Sequence, residues 1–108
     1  MIRGDIVVLA LQGDHGKPRP ALIVQSNLDT VVSSHVAVLP LTSFATATPL
    51  LRIPIPATTT TGLSAPSFAM LDRMTTADRG KIGRVIGHAD GATMVAVNRA
   101  IAVFLGIA

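Results

Sequence analysis

Lys17-Pro18-Arg19-Pro20-Ala21-Leu22-Ile23-Val24-Gln25 decides the fold, because it places a short apolar run directly behind two prolines. The aliphatic residues from Pro20 to Gln25 predict a β-strand, and the prolines mark its beginning. Asp5 to Leu11 is a second run of the same kind, and the polar, glycine-containing residues between the two runs predict a loop. This part of the chain therefore predicts a pair of strands joined by an irregular loop.

Four further segments have the length and composition of β-strands. They are Val36 to Leu41, Leu50 to Ile55, Ser67 to Met74 and Ile82 to His88. The last two flank a polar stretch, Thr76-Ala77-Asp78-Arg79-Gly80, which predicts a loop. The sequence thus predicts about six short strands, many of them paired with partners that lie far along the chain.

The C-terminal segment has a different periodicity. Apolar residues recur there at helical spacing, at Met94, Val97, Ile101, Phe104 and Leu105. Asp90 is placed to cap the N-terminus of this helix, and Gly106 ends the pattern. Several short strands and one closing helix predict the α+β class, with a curled sheet or small barrel, in a single domain over residues 1–108.

The composition describes a globular chain of 108 residues, with 49% hydrophobic and 14% charged residues. No apolar run approaches the roughly 20 residues that span a bilayer, which predicts a cytoplasmic protein without a membrane segment. The chain has no cysteine, so disulfides and thiolate zinc sites are excluded, and its three histidines are not spaced as metal ligands. The sequence therefore predicts no metal. It also contains no phosphate-binding loop and no dinucleotide motif, so it predicts no nucleotide cofactor.

The charge balance favours anionic partners, because nine Lys and Arg residues against six acidic residues give a formal charge of +3. The excess lies mainly in the last third of the chain, at Arg73, Arg79, Lys81, Arg84 and Arg99. With only three phenylalanines, the chain offers no extended set of rings for stacking bases. Nucleic-acid binding would therefore depend on phosphate contacts and hydrogen bonds.

Arg19 is the first candidate for chemistry. Pro18 and Pro20 restrict the backbone on either side and favour an extended conformation for Arg19, which would hold its guanidinium at a fixed place at a strand end. A structural role, with a carboxylate partner at the sheet edge, is the alternative. Spacing alone does not choose between the two.

Hydroxyls, a carboxylate and a histidine are the other candidates. Pro40-Leu41-Thr42-Ser43 ends a predicted strand in two hydroxyls, which could satisfy turn backbone groups or grip a phosphate together with an arginine. Asp72 and Arg73 would point to opposite faces of a strand, so Asp72 could instead pair with Arg19. His15 lies in the first loop, where a histidine suits proton transfer although most loop histidines are bystanders.

Six motifs occur in a definite order along the chain: Arg3-Gly4-Asp5-Ile6-Val7, Arg19-Pro20-Ala21-Leu22-Ile23-Val24, Pro40-Leu41-Thr42-Ser43, Gly62-Leu63, Leu71-Asp72 and Leu105-Gly106. Their order resembles that of the MazF/PemK toxin family across almost the whole sequence. The resemblance implies a small SH3-like β-barrel with added helices, which is usually a homodimer. It also implies cleavage of single-stranded RNA without a metal, and a cognate antitoxin whose tail covers the RNA groove.

By this resemblance, the catalytic arginine of the family falls on Arg19 and its catalytic hydroxyl on Thr42, with Asp72 and His15 as further candidates. The residues expected to bind RNA are Lys17, Ser43, Arg73, Arg79 and Lys81. Three features depart from the family. Val8 replaces an aromatic residue, the first loop is shortened to residues 12–18, and Met70 lies where relatives with an Arg-x-Asp arrangement have an arginine.

Two other functions stay open at this point. Phe104-Leu105-Gly106-Ile107 is similar to the aromatic-Gly-Ile end of CcdB-like toxins, which bind and poison DNA gyrase without cutting RNA. An SH3-like module that binds RNA or protein without turnover is the third alternative. The Arg-Pro and Thr-Ser motifs favour the ribonuclease.

Overall fold

A computed structural model describes residues 1–10, 17–27, 33–44 and 49–108, which form one antiparallel sheet and one long helix. The strands are β1 (Asp5–Leu9), β2 (Arg19–Ile23), β3 (His35–Thr42), β4 (Arg52–Ile55), β5 (Ser67–Met70), β6 (Thr75–Asp78) and β7 (Ile82–His88). Helix α1 spans Gly91–Phe104. Single 3₁₀ turns lie at Pro49–Leu51, Leu71–Arg73 and Arg79–Lys81.

The sheet is organised around β3. Its strands follow the order β4-β5-β3-β2-β1-β7, and β6 also pairs with β3. On one side β3 pairs with β2, with Ala21 opposite Pro40. On the other side its first half pairs with β6 and its last two residues pair with β5. Pro40, which has no N–H to donate, lies where β3 passes from one of these neighbours to the other.

Side chains alternate between two buried clusters, one on each face of the sheet. Ile6, Leu22 and Leu39 belong to the cluster that packs against Val97 of α1. The neighbouring residues along the same strands belong to the second cluster, which contains Val7, Leu9, Ala21, Ile23, Val36, Val38 and Ala77. This period of two is the signature of β-structure, and here both faces of the sheet are covered.

Helix α1 begins and ends as the sequence predicts. The Asp90 carboxylate accepts a hydrogen bond of 2.8 Å from the Thr93 N–H, and this bond lowers the pKa of Asp90. At the other end Gly106 takes a positive φ of 75°, and Ile107 N–H donates to the Ala102 carbonyl at 2.8 Å. None of the helices in the described ranges is long and apolar enough to cross a bilayer.

The α+β class and the C-terminal helix are confirmed, but three details of the predicted strands are wrong. Leu50 and Leu51, predicted to begin a strand, belong to the 3₁₀ turn before β4. The segment predicted as one strand from Ser67 to Met74 breaks after Met70 into a 3₁₀ turn. The stretch predicted as a loop, residues 76–80, begins within β6, where Ala77 is buried and pairs with Val36. Tertiary pairing with the free edge of β3 overrides the polar composition of this stretch.

The predicted closed barrel is not confirmed. The strand order starts at β4 and ends at β7, and no pairing within the described residues joins those two strands. The sheet is therefore an open, antiparallel one whose two ends remain separate.

Two glycines let the β4–β5 loop pack closely on β7. Gly62 has a φ of +70°, and a Cβ at this position would lie 1.9 Å from the Ile86 carbonyl oxygen. A Cβ on Gly87 would lie 2.3 Å from the Thr61 backbone. The loop is also tied to β7 by a bond of 2.9 Å from His88 N–H to the Thr60 carbonyl. Glycine is therefore required at both positions.

We expect Gly62→Ala to lower the free energy of unfolding by about 3 kcal/mol or more, because the substitution combines a backbone clash with a left-handed conformation that alanine disfavours. Urea denaturation followed by circular dichroism measures the loss. Gly91→Ala is the matched control, since nothing lies within 4 Å of a Cβ there. Equal stability of the two variants would contradict this account of the loop.

Candidate active site

A groove of about 200 Å³ lies where β2 begins and β3 ends. The antiparallel pairing of Ala21 with Pro40 places these two strand ends side by side. Two walls come from the strand ends, Arg19 and Pro20 on β2 and Leu41, Thr42, Ser43 and Phe44 at the end of β3. The third wall comes from the segment leading into β5 and contains Leu63, Ser64, Ala65 and Ser67.

Among the described residues, the lining of the groove combines one cation with hydroxyl groups and contains no carboxylate. Arg19 supplies the positive charge, and Thr42, Ser43, Ser64 and Ser67 supply the hydroxyls. The Ser67 hydroxyl donates to the Ala65 carbonyl at 3.0 Å, so it holds the third wall together. A guanidinium surrounded by hydroxyl donors is suited to bind an anion such as a phosphate.

Arg19 differs from the arginines that serve the fold. Arg3 donates to the Val24 carbonyl at 2.9 Å and to Asn98 at 2.7 Å, and Arg79 donates to the Ser33 carbonyl at 3.2 Å. The exposed Arg19 side chain has no hydrogen-bond or carboxylate partner among the described residues. The structural alternative for Arg19, a carboxylate at the sheet edge, therefore has no support in the described part of the chain.

The Thr42 hydroxyl is fixed by the turn that follows β3. Its oxygen accepts a hydrogen bond of 3.2 Å from the Phe44 N–H, and the Thr42 side chain is half-buried. A hydroxyl that accepts one bond keeps its own proton for donation. Thr42 therefore satisfies a turn backbone group and can also donate to an anion in the groove, so the two predicted roles are compatible.

Asp72 lies outside the lining of this groove, and its partner is not Arg19. Its carboxylate forms a salt bridge with the largely buried Arg52 of β4. The hydrogen bond and the charge of Arg52 lower the pKa of Asp72. Asp72 and Arg73 belong to a 3₁₀ turn, so the prediction that a strand points them to opposite faces is wrong.

Arg52 is the residue that sequence reasoning missed. Arg52 of β4 lies opposite Met70 of β5. Met70 is the position at which relatives with an Arg-x-Asp arrangement have an arginine. The guanidinium beside Asp72 therefore comes from the neighbouring strand and not from two residues earlier. Its Nε atom is buried without a hydrogen-bond partner among the described residues. Nothing local in the sequence links positions 52 and 72.

The remaining predicted residues are dispersed. Lys17 is exposed directly before β2, and Ser43 is an exposed part of the groove. Lys81 lies directly before β7. The first residue of β7, Ile82, pairs with Leu9 of β1, and Leu9 pairs on its other side with Arg19 of β2. Two strand spacings, about 10 Å, thus separate Arg19 from the start of β7. The exposed Arg73 and Arg79 lie on other turns, and His15 lies outside the described residues.

Comparisons with known proteins find similarity to one toxin family. Residues 2–105 match the sequence model of a family described as the PemK-like, MazF-like toxin of type II toxin-antitoxin systems. A protein named "Probable endoribonuclease MazF" from Mycolicibacterium smegmatis is 45% identical over 109 residues, which cover 100% of this chain and 99% of that protein.

Solved structures share the fold. A mycobacterial endoribonuclease in complex with its cognate antitoxin superposes with a TM-score of 0.83 at 23% identity, covering 100% of this chain and 97% of that one. The Mycobacterium tuberculosis toxin MazF-mt6 has a TM-score of 0.83 at 25% identity, with 96% and 98% coverage. A MazE–MazF structure from Deinococcus radiodurans has a TM-score of 0.79 at 22% identity, with 100% and 98% coverage.

We expect Asp72→Asn to destabilise the fold at pH 7 and to lose this effect in acid. A carboxylate whose pKa is lowered by folding contributes stability above its unfolded pKa of about 3.9, and the contribution disappears as the pH falls through the lower folded pKa. Urea denaturation along a series from pH 7 down to about pH 2 measures the difference, which should shrink as the pH falls below about 3.9. In an Arg52→Gln background the same substitution should have little effect at any pH of the series. A pH-independent loss would contradict the ion pair as its cause.

Proposed function

The chain belongs to the PemK-like, MazF-like toxin family of type II toxin-antitoxin systems, and we propose that it is a metal-independent endoribonuclease that cuts single-stranded RNA at a short sequence. The 45% identity to a protein named as an endoribonuclease, over the full chain, supports RNA cleavage. The observation that carries the proposal is the Arg19 guanidinium beside the Thr42 hydroxyl, because within the described ranges Arg19 has no partner and the groove lining has no carboxylate.

The reaction is an attack of a ribose 2′-OH on the adjacent phosphorus. A bond forms between phosphorus and the 2′-oxygen, and the bond to the 5′-oxygen of the next nucleotide breaks. The 2′-OH loses its proton, and the leaving 5′-oxygen gains one. The products are a 2′,3′-cyclic phosphate and a free 5′-OH.

Arg19 and Thr42 supply the charge stabilisation for this reaction. Negative charge grows on the phosphate oxygens as the 2′-oxygen attacks, and a preorganised guanidinium stabilises that charge more in the transition state than in the ground state. Thr42 donates its hydroxyl proton to one of the same oxygens. Asp72 and His15 are the candidate proton carriers of the family resemblance. The salt bridge with Arg52 lowers the pKa of Asp72 and so makes this carboxylate a weaker base, and Asp72 lies outside the groove lining.

The RNA extends beyond the groove over exposed cations. Lys17 and Ser43 lie next to Arg19 and Thr42 and contact the phosphates nearest the cut. Lys81 lies two strands away from Arg19 and is placed to contact a further phosphate. Arg73 and Arg79 are proposed to bind the outer parts of the RNA, with support from their exposure and charge alone.

The assembly follows from the family. We propose a cognate antitoxin as partner, a homodimer as the active form, and a single domain that acts in the cytoplasm. Relatives solved with an antitoxin support the first of these. Exposed apolar side chains at the end of α1, Val103, Phe104, Leu105 and Ile107, support an interface between two copies. The SH3-like barrel of the prediction belongs to the same proposal, and the second buried cluster supports it, because residues of β1, β2, β3 and β6 pack together there with Ile82 of β7.

The gyrase-binding alternative is not favoured by the comparisons. One observation supports gyrase binding, namely the exposed side chains of Phe104, Leu105 and Ile107. The family match and the 45% identical relative both point to the MazF class.

The test is to incubate the purified toxin with mixed single-stranded RNA in EDTA and to map the ends. Cyclic-phosphate ends at one recurrent short sequence support the proposal. Intact RNA together with gyrase trapped on DNA would support the CcdB-like alternative, and RNA binding without cleavage would support the non-catalytic module.

We expect Arg19→Ala to lower RNA cleavage at least about a hundredfold, the scale of losing one transition-state charge stabiliser. Because Arg19 makes no bond in the described fold, circular dichroism and the urea midpoint should stay unchanged. Arg99→Ala removes an exposed arginine from α1, outside the groove, and is the matched control. Near-normal cleavage by folded Arg19→Ala would overturn the assignment.

Thr42 is tested by a pair of substitutions that differ in the hydroxyl. Thr42→Ser keeps the donor and should retain most activity. Thr42→Val keeps the shape, loses both the donor to a charged phosphate and the acceptor of the Phe44 N–H, and should cleave about tenfold to a hundredfold more slowly. Rates under single-turnover conditions measure the effect, and equal rates for the two variants would remove Thr42 from the mechanism.

A further inference from the structure

Phe44 is an aromatic side chain with no role in the core. Its relative exposure is 77%, although it is one of only three aromatic residues in the chain. Isolated exposed hydrophobic residues are common and carry no meaning by themselves. Phe44 is distinguished by its position, because it lines the same groove as Arg19 and Thr42.

The turn after β3 couples Phe44 to the phosphate-binding hydroxyl. The Phe44 N–H donates to Thr42 Oγ1 at 3.2 Å, so the backbone that carries the ring is anchored to the residue proposed to grip the phosphate. The backbone of Phe44 therefore lies at a fixed distance from the Thr42 hydroxyl, so the exposed ring can reach only groups that lie close to a phosphate bound there.

Single-stranded RNA presents the matching chemistry. Each base is joined to its phosphate through one ribose, so a phosphate held by Arg19 and Thr42 brings a flanking base to the rim of the groove. Unpaired bases in single-stranded RNA commonly stack on aromatic side chains, and this contact tolerates any base because each has a π-face. In the described part of the chain, the groove lining besides Phe44 consists of aliphatic and hydroxyl side chains, a proline and Arg19.

On the basis of the proposed RNA-cleaving function, we propose that Phe44 is the stacking platform for a base that flanks the scissile phosphate. Phe44 strengthens RNA binding and sets the position of the flanking nucleotide, while the chemistry stays with Arg19 and Thr42. The platform recognises the presence of a base more than its identity, with a modest preference for the larger purine surface.

The test measures binding and cleavage separately. An RNA with a 2′-deoxyribose at the cleavage position cannot be cut, because it lacks the attacking hydroxyl, and it reports affinity alone. Phe44→Ala should weaken binding of this RNA about tenfold or more, raise KM for the cleavable RNA in proportion and change kcat less than about threefold. Phe44→Trp should bind as well as the wild type, and Phe44→Leu should recover only part of the loss. Leu50→Ala, at an apolar residue that is 87% exposed outside the groove, is the control and should change nothing.

Abasic RNA identifies the contact. When the flanking nucleotide on the correct side of the cut lacks its base, the wild type and Phe44→Ala should bind equally, because the ring then has nothing to stack on. Testing each of the two flanking positions shows on which side the base lies. An equal loss for Phe44→Ala on intact and abasic RNAs, or full activity of Phe44→Leu, would overturn stacking as the role.

The results of these experiments distinguish a failure of base stacking from a failure of the proposed RNA cleavage. If the wild type cuts RNA and Phe44→Ala binds and cuts it equally well, only the stacking platform is wrong. If the wild type cuts no RNA, the ribonuclease proposal fails, and the affinities of the wild type and Phe44→Ala for unmodified single-stranded RNA still measure whether Phe44 stacks on a base. If Phe44→Ala weakens the complex with the antitoxin and leaves RNA affinity unchanged, Phe44 is a protein-binding residue and the inference is overturned.

Discussion

The pairing of β2 with β3 is the constraint on which the rest of the molecule depends. With Ala21 opposite Pro40 and Leu22 opposite Leu39, alternate side chains go to the helix-covered cluster and to the second cluster. A slip of one residue would exchange the two sets and expose both cores. The same register places the start of β2 beside the end of β3, so the pairing that builds the core also assembles Arg19 and Thr42.

The arginines differ in whether the fold provides a hydrogen-bond partner for the guanidinium. Arg3, Arg52 and Arg79 each donate to a partner in the fold, and Arg52 holds Asp72 at the turn that ends β5. Within the described residues Arg19 makes no such bond, and the groove that it lines contains no carboxylate from those residues. A guanidinium with unused donors binds a phosphate without first breaking an internal ion pair. The exposed Arg99 also has no partner among the described residues, so Arg19 is distinguished by combining free donors with a place in the groove.

Rigid neighbours hold the groove in shape. The Thr42 hydroxyl accepts from Phe44 N–H on one wall, and Ser67 donates to the Ala65 carbonyl on another. Behind this third wall, Thr61 donates to the Pro56 carbonyl at 2.8 Å, and Gly62 lets the β4–β5 loop approach β7 closely. Preorganisation of this kind is what charge stabilisation requires, because dipoles that already point at the substrate need no rearrangement during the reaction.

The sequence by itself determined the features that rest on local signals. Strand-length apolar runs such as Pro20 to Gln25, and the Asp90 cap with the Gly106 stop, each encode their own conformation, so the strands of the core and α1 were predictable. The resemblance, carried by short motifs, named Arg19 and Thr42 as the candidate pair.

Only the tertiary structure decided the features that join distant positions. Residues Thr75–Asp78 become a strand because the edge of β3 offers them hydrogen bonds, not because their composition favours one. Asp72 is paired with Arg52, which lies on another strand, and Phe44 acquires its significance from a groove built by three separate segments. No local pattern carries this information, since the contacts exist only after β3 has brought its neighbours together.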